Sequence, residues 1–106
     1  AVIVGDFNTA PGDSEAYCGD CLDELVAGGW RHGRPTSGYS WRSSRSGVER
    51  QIDHVFLSSP LIPLRAEYLW EFERLVSSGP SRKVGLPDHA MLVCEFDRAR
   101  TASARL

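Results

Sequence analysis

Three short apolar runs in this chain each begin or end on an acid, and that placement limits the folds open to it. Val2-Ile3-Val4-Gly5 closes on Asp6, with Phe7-Asn8 following. Gln51-Ile52-Asp53-His54 opens the run Val55-Phe56-Leu57. Asp88-His89 introduces Ala90-Met91-Leu92-Val93. Runs of this length, bounded by turn residues, read as buried strands. A carboxylate beside such a strand is costly unless it is paired or holds a metal. One such acid is an accident, whereas three at the mouths of three strands point to an active site.

The other elements follow from pattern and punctuation. Residues 6–13 form a loop around Pro11-Gly12, and a helix starts near Asp13 or Ser14, both good caps. Leu22, Leu25 and Val26 supply its buried face, and Gly28-Gly29 stops it. Residues 31–47 are mostly loop, with a short strand at 39–42. Residues 64–70 alternate as a half-exposed strand, although Leu69, Phe72 and Val76 also fit a helix over 64–76. Residues 77–86 read as loop, 90–96 as a strand and 98–106 as a disordered tail.

The 106 residues make one domain, with residues 1–97 as its body, and the net charge of −2 argues against a strongly basic nucleic-acid binder. The charge is uneven. Residues 1–30 hold acids and no Lys or Arg, while residues 31–50 carry Arg31, Arg34, Arg42, Arg45 and Arg50 among Trp30, Tyr39 and Trp41. Arginines interleaved with aromatics suit a phosphate backbone or an unstacked base, and a solvated loop is the alternative. Cys18 and Cys21 have C-x-x-C spacing but no second pair for a structural zinc, and His32 is isolated. The cysteines read as incidental thiols in a reducing, cytoplasmic setting, with Cys94 in the core. No run approaches the ~20 apolar residues of a membrane span, and no signal peptide is present.

The acids have specific chemistry open to them. Asp6 and Asn8 are two residues apart and share a side if the strand geometry persists. An acid can orient or deprotonate a water, and an amide can donate to a phosphate oxygen. Asp88 suits a hard cation, and His89 can stabilise charge at phosphorus. Asp53 lies within a strand and needs a partner, which His89 can be. His54 reads as a packing residue on the face away from Asp53.

G-D-F-N, I-D-H-V-F-L-S and P-D-H-A-M-L-V, in this order, resemble the motifs of the endonuclease/exonuclease/phosphatase superfamily, the pancreatic-deoxyribonuclease-like fold. The resemblance covers residues 1–97. It implies an Mg²⁺-dependent (or Mn²⁺-dependent) phosphoester hydrolase. Asp6 would activate water and share the metal with Asp88, and Asn8 would bind phosphate. Asp53 would orient His89, and His89 would stabilise the phosphorane. Trp41 and Arg42 are candidates for substrate contact, and nucleic acid is a candidate substrate.

Departures accompany the match. Pro87 stands where members have Ser, Gln51 where they have Arg, and His54 where Tyr is common. Members are longer, and their first half brings an Asn and the main metal-binding Glu. The chain is therefore expected to be the C-terminal half of an α/β domain. It would form half of a four-layer α/β/β/α sandwich, mainly one mixed sheet with a helix on its outer face. A missing N-terminal half, a partner chain or a dimer would cover the open sheet face. The alternative is a non-catalytic remnant that acts as a phosphate-binding or interaction module.

Overall fold

The computed structural model describes residues 1–12, 18–72, 75–76 and 88–100. Strand β1 (Val2–Asp6) leads to helix α1 (Gly19–Ala27). The short strands β2 (Arg31–His32), β3 (Trp41–Arg42) and β4 (Glu49–Arg50) follow. Then come β5 (Asp53–Leu57), β6 (Leu61–Leu69), β7 (Glu71–Phe72), β8 (Leu75–Val76) and β9 (Met91–Arg98). The protein is a mainly β structure with one described helix, so it has both α and β elements. The expected single mixed sheet is replaced, among the described residues, by antiparallel ladders: β1-β5-β2, β3-β4, β6-β9 and β7-β8.

β5 is the central strand, and Val55, Phe56 and Leu57 are buried on both of its faces. Directly opposed residues of an antiparallel pair share a face. Ile3 and His32 therefore lie with Phe56, and His32 stacks on the Phe56 ring at 4.6 Å. Val2 and Val4 lie with Leu57 and Val55. The expectation that residues 1–5 are buried on both faces does not hold, because Val2 and Val4 are 44% and 63% exposed. The β6–β9 ladder covers Val55 on that face, where Gly33 lets Val55 and Cys94 approach. Its cover does not extend over the outer valines.

Residues 61–69 are strand rather than helix, because they pair with β9 from Leu61↔Arg98 to Leu69↔Met91. The register slips between Pro63 and Arg65, next to the proline that has no N–H for a ladder. The ladder extends through Arg98, where the tail was expected to begin, and Ala99 N–H still donates to the Pro60 carbonyl.

The described helix starts at Gly19. Cys18 has φ of 57°, a left-handed conformation that ends any helical run through it, and it gives no side-chain cap. The expected caps Asp13 and Ser14 lie outside the described residues, as do Pro87, residues 77–86 and residues 101–106. Gly28 and Gly29 close the helix, with Gly29 at φ 99°. Leu22 is buried, Leu25 half-buried and Val26 exposed, so the inward stripe is narrower than expected. Cys94 is half-buried rather than a full core residue. Among the described residues no helix is long and apolar enough to cross a membrane.

Candidate active site

Antiparallel pairing brings the end of β1 to the start of β5, so Asp6 lies directly opposite Asp53. Phe7 N–H donates to the Ile52 carbonyl, and Ser58 N–H to that of Ala1. These bonds alternate along the ladder, which makes Asp6–Asp53 a pair without mutual backbone bonds, the kind with the closer side chains. The loop before β9 adds His89. Its Nδ1 lies 2.7 Å from Asp53 Oδ2, and a carboxylate there requires the Nδ1–H tautomer. Its Nε2 lies 3.8 Å from Asp6 Oδ2 and 3.9 Å from Asp88 Oδ1. Both distances exceed hydrogen-bond length. Asp53 is the most buried of the four side chains at 15% exposure, and Asp6 the most open at 42%.

Asp6, Asp53 and His89 offer ligand atoms that all lie within 4.8 Å of one another, a cluster able to hold a metal ion. Two carboxylates face each other across a ladder, where like charges repel. A cation among them would offset that repulsion, and the oxygen-rich donor set suits a hard divalent ion.

Asn8 sits at φ 57°, and its N–H donates to Asp6 Oδ1 at 2.9 Å, a tight turn that holds the Asp6 carboxylate. The residue is exposed beside Asp6. Trp41 and Arg42 lie on the β3–β4 hairpin, opposite Arg50 and Glu49. Arg42 is held within that hairpin by Glu49 at 3.9 Å and the Gly47 carbonyl at 3.4 Å. Neither partner belongs to the Asp6–Asp53–His89 cluster. Arg34 Nε donates to Gln51 Oε1 at 2.7 Å, and the Gln51 amide donates to the carbonyls of Pro35 and Gly38. Cys18 and Cys21 are exposed thiols outside the metal-ligand cluster. The charge of Asp20 leads the effects that push the Cys21 thiol up.

His32 is not isolated: its Nε2 lies 3.1 Å from His54 Nδ1, and His54 Nε2 lies 2.6 Å from the Thr9 carbonyl. A carbonyl only accepts, so His54 carries its proton on Nε2, and His32 donates to its Nδ1. His54 is fully buried on the face opposite Asp53 and ties β5 to the loop that follows Asn8. Burial, then His54 and Arg34, lower His32 to about 4.

Ser40 and Tyr68 escaped the sequence reading. Ser40 Oγ accepts the N–H groups of Ile52 and Asp53, and Tyr68 OH donates to the Asp53 carbonyl at 2.7 Å. Burial, followed by the charge of Asp53, pushes Tyr68 up to about 12, so the phenol remains a donor. No periodicity marks either residue. Only the Tyr-Ser-Trp sequence around Ser40, a small polar residue between aromatics, hints at a buried hydroxyl. A cleft of about 280 Å³ lies elsewhere, lined by Gly33, Arg34, Thr36 and Pro63 among others, and none of the clustered acids lines it. Compared with family models, curated proteins and solved structures, the chain matches none.

Proposed function

We propose that Asp6, Asn8, Asp53, Asp88 and His89 form one side of the active site of a metal-dependent phosphoester hydrolase. The four-layer sandwich and a reducing, cytoplasmic setting belong to the same reading. The observation that carries it is the Asp6–Asp53 pair with His89 Nδ1 on Asp53 at 2.7 Å. Asp53 fixes the ring and leaves Nε2 directed to the open side, near Asp6 and Asp88. Because His89 engages Asp53 at 2.7 Å, Asp6 and Asp88, rather than the full Asp6–Asp53–His89 cluster, would hold Mg²⁺ or Mn²⁺, which when bound supplies positive charge to a phosphoryl oxygen. Asp6 orients a water and takes its proton as the water oxygen attacks phosphorus in line. Protonated His89 donates a hydrogen bond from Nε2 to a phosphoryl oxygen as the bond to the leaving oxygen breaks, and that oxygen takes a proton from solvent to leave as the alcohol. The Asn8 amide, one turn from Asp6, donates to a second phosphoryl oxygen. Trp41 with Arg42, on the β3–β4 hairpin, would suit a nucleic-acid strand, by stacking and by charge.

The test is hydrolysis of a generic phosphodiester with Mg²⁺, by the chain and by the chain extended with any coding sequence upstream of Ala1. Turnover that His89→Ala abolishes supports the reading. Absence of turnover in both forms overturns it and favours a phosphate-binding module without catalysis.

A further inference from the structure

We propose that Ser40 is the positioning residue of the Asp53–His89 pair, setting both partners from one buried point, with Tyr68 as its counterpart on Asp53. The inference rests on reading that pair as the working pair of the proposed site. Its starting point is an incomplete sheet. In the β1–β5 ladder the N–H and C=O of Asp53 point away from β1, toward the side of β2. β2 spans only Arg31–His32 and pairs with Leu57 and Phe56, and its line ends with Gly33 N–H on the Val55 carbonyl. It does not reach Asp53. Two polar backbone groups beside a half-buried acid would be left without a ladder, which is costly.

Side chains take the place of the missing strand. Ser40 Oγ accepts Asp53 N–H at 3.2 Å and Ile52 N–H at 2.9 Å. Tyr68 OH donates to the Asp53 carbonyl at 2.7 Å. Ser40 is itself fixed, fully buried, with its N–H on the Arg50 carbonyl at 3.0 Å and its hydroxyl 3.4 Å from the same oxygen. Its own carbonyl accepts Ala90 N–H at 2.9 Å, one residue from His89. A single residue therefore anchors the strand that carries the carboxylate and the loop that carries the imidazole. Ser40 does not face the reacting atoms; it acts through the separation it sets.

The experiment compares Ser40→Ala, Ser40→Thr and Tyr68→Phe with the wild-type chain, reading the fold from amide NMR spectra and the His89 tautomer from imidazole ¹⁵N shifts. With the ring neutral, wild type is expected to show the Nδ1–H form. Folded Ser40→Ala is expected to lose it toward Nε2–H, and Ser40→Thr, which keeps the acceptor, to retain it. If Ser40→Ala does not fold, Tyr68→Phe carries the test, with a partial shift of the same sign expected. A folded Ser40→Ala, or in its place Tyr68→Phe, with wild-type His89 shifts overturns the inference. In a hydrolytically active form, Ser40→Ala should lower kcat about 10–100-fold with KM unchanged. The imidazole readout needs no turnover. A tautomer change in a chain that hydrolyses nothing thus supports the positioning role while overturning the hydrolase reading.

Discussion

Asp6 faces Asp53 across the β1–β5 ladder at the closest kind of cross-strand approach, and only Asp53 is paired with His89 at hydrogen-bond distance. Asp6 is held by the Asn8 N–H and stands 3.8 Å from the imidazole. The two acids thus share a face and the proximity of His89 but not a hydrogen bond to it. That asymmetry gives Asp53 an orienting hydrogen bond and leaves Asp6 the more open of the two carboxylates.

Asp6→Asn removes one of two opposed negative charges. Opposed like charges cost roughly 0.2–1 kcal/mol relative to a neutral pair, so the metal-free variant is expected to be more stable by about that amount. The same change removes a hard ligand, so the rise in Tm on adding Mg²⁺ should shrink. Thermal melts with chelator and with Mg²⁺ check both halves. A variant that is less stable, with an undiminished Mg²⁺ response, contradicts the assignment.

Asp53→Ala sets two effects against each other. It relieves the same repulsion, but it removes a charge-assisted hydrogen bond from a half-buried imidazole, worth about 1.5–3 kcal/mol. The loss is the larger, so the variant should be destabilised by about 1–2 kcal/mol in urea unfolding. An active form should also lose turnover by a factor of 100 or more, on the order expected when a catalytic imidazole is no longer oriented. Unchanged stability and turnover would show that the 2.7 Å contact contributes nothing.

Gly33 marks where the β6–β9 ladder meets the central sheet. A Cβ there would stand 2.8 Å from Val55 Cγ1 and 2.9 Å from Cys94 Sγ, closer than packed atoms approach. Gly33→Ala is expected to cost about 1–3 kcal/mol through overpacking. Adding Cys94→Ala opens one side of the contact and should recover part of that cost. The coupling is read from a double-mutant cycle in denaturant. Additive effects would mean that the contact with Cys94 is not the source of the cost.

The meeting of Asp6, Asp53 and His89 was legible because each lies at the end of an apolar run, and strand ends converge when strands pair. The strand over 64–69 was legible because alternation persisted from Leu64 through Tyr68, whereas its start at Leu61, between Pro60 and Pro63, was not. Ser40 was not, because its task exists only where β2 stops short of Asp53, and strand length depends on pairing partners. The His32–His54 contact joins residues 22 positions apart on adjoining strands, which no local spacing reveals. The burial expected for Val4 and Val26 failed for a related reason: apolar identity says a residue can be covered, while the packing around it decides whether it is.

His32 makes stability depend on pH in a defined window. Its value falls from 6.5 in the unfolded chain to about 4 in the fold, chiefly through burial, with His54 and Arg34 adding to the shift. Above about pH 6.5 the ring is neutral in both states and its contribution is fully present. As pH falls from there toward about 4, the unfolded chain binds a proton that the folded chain excludes, and stability declines. Below about 4 both states are protonated and the loss levels off. The ring is half-buried, so after discounting for solvent screening the loss is about 1–2 kcal/mol. His32→Gln keeps a donor for His54 Nδ1 but does not titrate. The difference in unfolding free energy between wild type and His32→Gln should therefore shift against wild type by that amount between pH 7 and pH 4. Urea unfolding across the range reads it, and a difference constant with pH contradicts the assignment of the window to this ring.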